Sequence, residues 1–148
     1  MLSIIKNLVL ALFLLASTTA CAQLNGYLSI FGSTQEQFKP LKDCVVTLFL
    51  DSTDNVTQVQ KEQLTTKGNS KFKFNLSYNT HYTIQCNREN YGTKTIKINS
   101  TVPQNLLLSN LQFEFALDMT ASIGMNTPNS ITTIYFDNAR NAFDYRLE

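Results

Sequence analysis

Apolar and polar residues alternate one for one along much of this chain. In Lys71–Leu76, Phe72, Phe74 and Leu76 share one phase, and Lys71, Lys73 and Asn75 share the other. Gln112–Met119 does the same, with Phe113, Phe115, Leu117 and Met119 set against Glu114, Ala116 and Asp118. Tyr82–Cys86 places Tyr82, Ile84 and Cys86 on one side. A period of two is the signature of a strand with one buried face. Cys44–Leu50 carries apolar groups in both phases and predicts a strand covered on both sides. Val56–Thr66 is polar in both phases and predicts an exposed edge strand. Gln23–Phe31, Thr93–Ile98, Ile131–Phe136 and Ala142–Arg146 complete the set.

Turn chemistry separates these segments. Gly32–Asp43 reads as a loop, followed by turns at Asp51–Asn55, Lys67–Ser70, Tyr78–Thr80, Asn87–Gly92 and Asp137–Asn141. The stretch from Asn99 to Ser130 alternates least outside its one strand and is where a short helix could sit. Eight or nine short strands without an amphipathic helix predict an all-β, antiparallel β-sandwich. Its expected core is Val46, Leu48, Phe72, Phe74, Leu76, Tyr82, Ile84, Phe113 and Phe115.

The N-terminus follows a different pattern. Lys6 precedes the unbroken apolar run Leu8–Ala16, and the small residues of Ser17–Ala22 follow it. This order of charge, apolar run and small residues predicts a secretory signal peptide over residues 1–22. The run is too short for the ~20 residues of a spanning helix. Two routes are open. Ala20-Cys21-Ala22 is a small-x-small site, which places cleavage before Gln23. Alternatively, Cys21 is the lipid-accepting cysteine of a bacterial lipoprotein. Thr18 stands where that pattern wants an aliphatic residue, which favours ordinary cleavage. Either route predicts an exported protein of the periplasm, outer membrane surface or extracellular space. A membrane is involved only through the lipid anchor.

Composition narrows the function. Lys and Arg number 12 against 11 Asp and Glu, a net charge of +1, which implies no nucleic-acid partner. With only five glycines there is no phosphate-cradling loop, and no Gly-x-Ser-x-Gly elbow occurs. Asp51–Asn55 lacks the glycine and closing glutamate of a calcium loop. His81 is the one histidine and has no ligand partner at metal spacing, so no metal or other cofactor is implied. Asp118, Asp137 and Asp144 are the candidate acids for a hydrolase, although Asp is routine at strand ends. Of three cysteines, Cys44 and Cys86 remain after export. They are either a disulfide suited to an oxidising compartment or two buried thiols. Asn55, Asn75 and Asn99 begin Asn-x-Ser/Thr sequons, which matter only in a host with N-glycosylation.

The order of motifs from Leu24 to Ile98 resembles the carboxypeptidase regulatory-like domain, a transthyretin-like (prealbumin-like) β-sandwich. The resemblance rests on Pro40-Leu41 leading into Cys44-Val45-Val46-Thr47-Leu48, on Gly68 followed by Phe72-Lys73-Phe74-Asn75-Leu76, on Tyr82-Thr83-Ile84 and on Tyr91-Gly92. Two departures stand out. Asn69-Ser70 lengthens the turn after Gly68, and Tyr91-Gly92 reverses the usual Gly-Tyr order. Phe113–Met119 with Ile134–Asp137 and Phe143–Tyr145 resembles a tail attached to this domain in secreted proteins of Bacteroidetes-type bacteria. The implied organisation is a signal peptide over 1–22, the regulatory-like sandwich over 23–99, and a strand-rich extension over 100–148 packed on it. The bacterial resemblance also makes Ser52, in Asp51-Ser52-Thr53, a candidate O-glycosylation site.

These features imply a non-enzymatic, secreted or lipid-anchored envelope module whose partner is another envelope protein or a glycan. A small carbohydrate-binding protein is the first alternative, weakened by the absence of Trp. A hydrolase using the three aspartates is the second. The export reading has a direct check by intact mass of the protein from its native host. The mature chain is expected to begin at Gln23, and Cys21→Ser is expected to leave its partitioning unchanged. An acylated Cys21 as first residue, with transfer to the detergent phase, would establish the lipid route. Residues 1–20 still present on the mature protein would defeat both.

Overall fold

The computed structural model describes residues 25–53, 57–122 and 130–147. Within them the alternating segments form ten strands. These are β1 (Tyr27–Glu36), β2 (Lys39–Pro40), β3 (Val45–Asp51), β4 (Gln58–Thr65), β5 (Lys71–Ser77), β6 (His81–Asn87), β7 (Lys94–Asn99), β8 (Leu111–Asp118), β9 (Ser130–Asp137) and β10 (Ala142–Leu147). One 3-10 turn at Gln104–Leu106 fills the irregular stretch after β7, and no α-helix occurs among the described residues.

The strands make two sheets. In the first, β1 runs between β5 and β8, and β2 folds back on its far end. The second has the order β10-β9-β7-β6-β3-β4. As the polar pattern predicts, β4 lies at an edge and is largely exposed. The all-antiparallel expectation is corrected in two places: β1 pairs with β8 in parallel, and so does β7 with β9. The chain leaves β7 for β8 in the opposite sheet and then returns to β9. Two crossings bring it back beside β7 pointing the same way, with no tight hairpin to reverse it.

β1 continues five residues beyond its expected end at Phe31. The reason is Gly32, which does not begin a loop. It lies in mid-strand opposite Phe72 and Phe115, and a Cβ there would stand 2.0 Å from Phe72 Cζ. Glycine here is a hole that admits a ring into the core. The strand ends in a tight reversal at Gln37 and Phe38, both at positive φ (48° and 65°). That backbone matches the twist of a two-residue hairpin, but neither side chain is the usual Asn or Gly. Gly26 has a similar constraint at the other end, since a Cβ there would sit 2.1 Å from the Ser109 carbonyl oxygen. The lengthened turn before β5 ends on Ser70, at φ 57° and fully buried, whose carbonyl accepts the Thr34 N–H at 2.9 Å.

The inward phases meet between the sheets. Leu28, Ile30, Phe74 and Leu76 from the first pack with Val46, Leu48, Ile84, Ile96, Ile98 and Ile134 from the second. Phe113 and Phe115, expected in the core, are only half-buried. They lie on β8, where the first sheet ends and covers them on one side only. Tyr78 ties this strand in place. Its hydroxyl lies 2.9 and 2.8 Å from the carbonyls of Tyr27 and Ser109 and accepts the Leu111 N–H at 3.1 Å.

Phe74 is 1% exposed, so Phe74→Ala is expected to cost about 3–5 kcal/mol by chemical denaturation. Gly32→Ala is expected to cost about 1–3 kcal/mol by overpacking, and Phe72→Leu in the same chain should recover part of it. Additive losses in the double variant would mean that Phe72 does not occupy the space above Gly32.

Candidate functional site

Strand alternation that buries Tyr82, Ile84, Ile96, Ile98 and Ile134 turns their neighbours to the outer face of the second sheet. Pairing then brings those neighbours together. Thr83 faces Lys97, Lys97 faces Thr133, and Thr133 faces Arg146. They floor a polar depression of about 390 Å³, which also takes in Asp51, Gln58, His81 and Asn99. Asn99, Thr133 and Arg146 continue into a second depression of about 620 Å³ with Tyr135, Asn138 and a rim of Val102 and Pro103. At the other end Asp51 and His81 open into a third, of about 380 Å³, with Ser52 and Asn79. The three adjoin as one trough crossing β3, β6, β7, β9 and β10, with Gln58 at the start of β4 on its margin. At about 4.8 Å per strand it runs roughly 20 Å.

The lining of the trough is mostly polar, with Tyr82, Tyr135 and Phe136 as its aromatic members. Arg146 holds its guanidinium 5.7 Å from the centre of the Tyr135 ring. Asp51 accepts from Gln58 Nε2 at 2.8 Å and from the Thr83 hydroxyl at 2.9 Å, so both its oxygens are engaged. Asn99 turns its Oδ1 to the Thr101 N–H at 3.0 Å. Lys97 and Arg146 outweigh the single carboxylate, which gives the floor a positive bias.

The residues singled out by sequence are scattered. Cys21 and Asn55 lie outside the described residues. Asp137 and Asp144 both grip Arg140 across the β9–β10 turn, which ties them into one ion-paired clamp. Asp118 lies in the other sheet and accepts the Gln37 N–H at 3.2 Å. The three aspartates therefore do not converge on one cleft. His81 stands exposed in the trough, and no three of His, Cys, Asp or Glu cluster around a metal-sized site among the described residues. Ser52 lies at the trough's end, half-buried, its hydroxyl oxygen accepting the Thr57 hydroxyl at 2.9 Å and the Thr57 N–H at 3.2 Å. Asn75 is exposed and accepts the Ser29 hydroxyl.

Cys44 and Cys86 are both fully buried, are free thiols in this structure, and touch each other. Burial, and then the neighbouring Cys44, push the Cys86 thiol from the ordinary 9.0 up to about 12. Among the tyrosines, burial raises Tyr78, and the carboxylate of Glu36, 2.9 Å from its hydroxyl, raises Tyr91. The trough was not read from the sequence. Lys97, Asn99, Tyr135 and Arg146 are visible there as outward-phase residues, but which strands lie side by side is not.

No family model matches the chain, and no curated protein matches it. Among solved structures, the chain is similar to a 3-chlorocatechol 1,2-dioxygenase from Rhodococcus opacus 1CP, with 13% identity and a TM-score of 0.46 over 65% of this chain and 60% of that one. It is also similar to a point mutant of the Acinetobacter radioresistens catechol 1,2-dioxygenase, with 8% identity and a TM-score of 0.49 over 76% of this chain and 57% of that one. A third is the dioxygenase domain of a dioxygenase carbohydrate-binding protein fusion from Streptomyces sp. SirexAA-E, with 14% identity and a TM-score of 0.42 over 67% and 84%. The chain thus spans 60% and 57% of the length of the first two. Likenesses of this size carry no conclusion about activity.

The raised thiol has a consequence for stability. A group whose proton is held more tightly in the folded state contributes stability fully below its unfolded value and loses it as pH rises. For Cys86 the loss runs from about pH 9 toward about 12. Thermal unfolding across that window is expected to fall more steeply in the wild type than in Cys86→Ala. Equal slopes would place the alkaline sensitivity elsewhere, with Tyr78 the next group to test. In the wild-type mature chain, two thiols are expected to react after unfolding without reductant. None reacting would mean that the pair is bonded.

Proposed function

We propose that this chain is an exported, non-enzymatic β-sandwich of the carboxypeptidase regulatory-like kind, which serves the cell envelope as a glycan-interaction module. The observation that carries the reading is the trough. It is long, open and mostly polar, it crosses five strands, and it gathers Lys97, Asn99 and a Tyr135 ring that carries the Arg146 guanidinium over it. Extended polar chains are bound by this combination of a stacking ring and fixed hydrogen-bonding groups. The positive floor favours a sugar chain bearing carboxylates. The reading assigns binding rather than turnover because the acids that a hydrolase needs are apart or already paired. Export, and a lipid anchor at Cys21 if present, would hold the module at the envelope. Among the described residues no helix is long and apolar enough to cross a membrane.

The test is an oligosaccharide array of neutral and uronic-acid chains, followed by calorimetry on the mature chain. Binding to acidic chains is expected, weakening as salt rises. Tyr135→Ala and Arg146→Ala should each weaken it about tenfold, or about 1.4 kcal/mol. An empty array, or unchanged affinity in both variants, would refute the glycan assignment. Turnover of a bound oligosaccharide, or ring cleavage of a catechol, would refute the non-enzymatic one.

A further inference from the structure

The two sheets do not match in width. Across its middle the first has three strands, β5, β1 and β8, while the second has six. The surplus leaves β4 exposed on both faces at one end, and part of the inner face of β10 uncovered at the other. On one face of that strand Phe143 is 9% exposed, but Tyr145 is 58% and Leu147 76% exposed. Opposite them β8 ends the first sheet, pairing with β1 alone among the described residues. Between β8 and β10 lies a slot of about 300 Å³ lined by Phe113, Phe115, Ile96, Ile134, Tyr145 and Leu147. Its lining is mostly apolar, with Glu114 and Thr132 as its polar members, and it is separate from the polar trough on the other side of the second sheet.

We propose that this slot is a binding site for one extended peptide segment of a partner protein, added to β8 as a fourth strand. Three features define the segment. First, the edge of β8 supplies main-chain groups. Met119 sends its N–H to β1 at 2.8 Å, so by alternation Leu117, Phe115 and Phe113 also face β1. Gln112, Glu114 and Ala116 therefore turn their N–H and C=O groups to the edge away from β1, which no described residue pairs before Thr120 meets Gly92, and where a new strand can pair. Second, the inward side chains of that strand would lie against Tyr145 and Leu147, so they must be apolar. Third, its outward side chains would lie beside Glu114 and Asp118, both exposed on the outer phase of β8. Opposite charges across paired strands are favourable, so those positions call for Lys or Arg. The ligand is a strand that alternates apolar and basic residues.

A second copy of this chain is disfavoured on the same grounds. Two β8 edges would set acid against acid. The chain's own apolar-basic strand, β5, has Phe72, Phe74 and Leu76 buried in its core and is not free to leave.

The test uses the mature chain and a capped heptapeptide of sequence Lys-Phe-Lys-Phe-Asn-Leu-Ser, read by fluorescence anisotropy at low salt. Saturable binding is expected, at least tenfold tighter than to the same peptide with Glu in place of both Lys. Leu147→Asp should abolish it, and Glu114→Lys should remove the preference for Lys over Glu. Ala116→Pro should weaken it by removing an edge donor. Leu147 and Glu114 are exposed, so those two variants should unfold at the wild-type temperature, and that is measured alongside. Equal affinity for the two peptides, or binding untouched by Leu147→Asp, would overturn the proposal. So would a concentration-dependent dimer that Leu147→Asp makes monomeric, which would give the slot to a second copy. Oligosaccharide binding measured on the same variants should not change, so failure here and failure of the glycan reading are separable.

Discussion

Two sheets of unequal width share a single apolar layer, and most of what this molecule presents to solvent follows from that mismatch. Where the sheets overlap, burial is complete. Ile30 and Ile84 are fully covered, and Ile98 is 1% exposed. Each such side chain contributes about 1.5–3 kcal/mol relative to exposure. Where the wider sheet overhangs, the same inward phase continues without a partner. There Tyr145 and Leu147 are left in the open, and Phe113 and Phe115, on the last strand of the narrower sheet, are half-covered.

The narrow sheet is organised by β1. It alone joins β5 to β8, and it holds the glycine above which Phe72 packs. Phe72 in turn meets Phe74 at 5.7 Å and, edge-on, Phe115 at 5.9 Å between ring centres. A side chain at position 32 would push this aromatic group apart. Nearby, Thr34 and Thr66 share the Leu41 carbonyl, and the Cys44 N–H reaches Thr66 Oγ1 at 3.1 Å. This buried hydrogen-bonded group fixes where β3 begins, and so the position of the thiol beside Cys86.

The outer face of the wide sheet and the overhanging inner edge are surfaces of different physics. The trough carries fixed charges and hydrogen-bonding groups across five strands, which suits a hydrated ligand. The slot carries mostly apolar walls and a strand edge unpaired among the described residues, which suits a backbone. They lie on opposite faces of the second sheet, so a ligand on one leaves the other accessible. The two proposed sites together would let such a module join a sugar chain to a protein segment, in keeping with the envelope role proposed for it.

The strand content of this protein was legible because a period-two pattern is a local property. Phe72, Phe74 and Leu76 announce an inward face whatever the strand pairs with, and β4 announces an edge by having no apolar face. Three things were not local. Gly32 read as a loop because its need for empty space comes from Phe72, about 40 residues away. The parallel pairs were hidden because direction depends on how many times the chain crosses between sheets. The separation of Asp118 from Asp137 and Asp144 and the assembly of the trough depended on strand order. Alternation assigns Lys97, Tyr135 and Arg146 to the polar phase, but it does not say that β7, β9 and β10 are neighbours. Sequence by itself determined which residues turn inward and which outward. The tertiary structure alone decided which of them meet, because hydrogen bonding between strands is blind to side chains and its order is set by how the apolar faces stack.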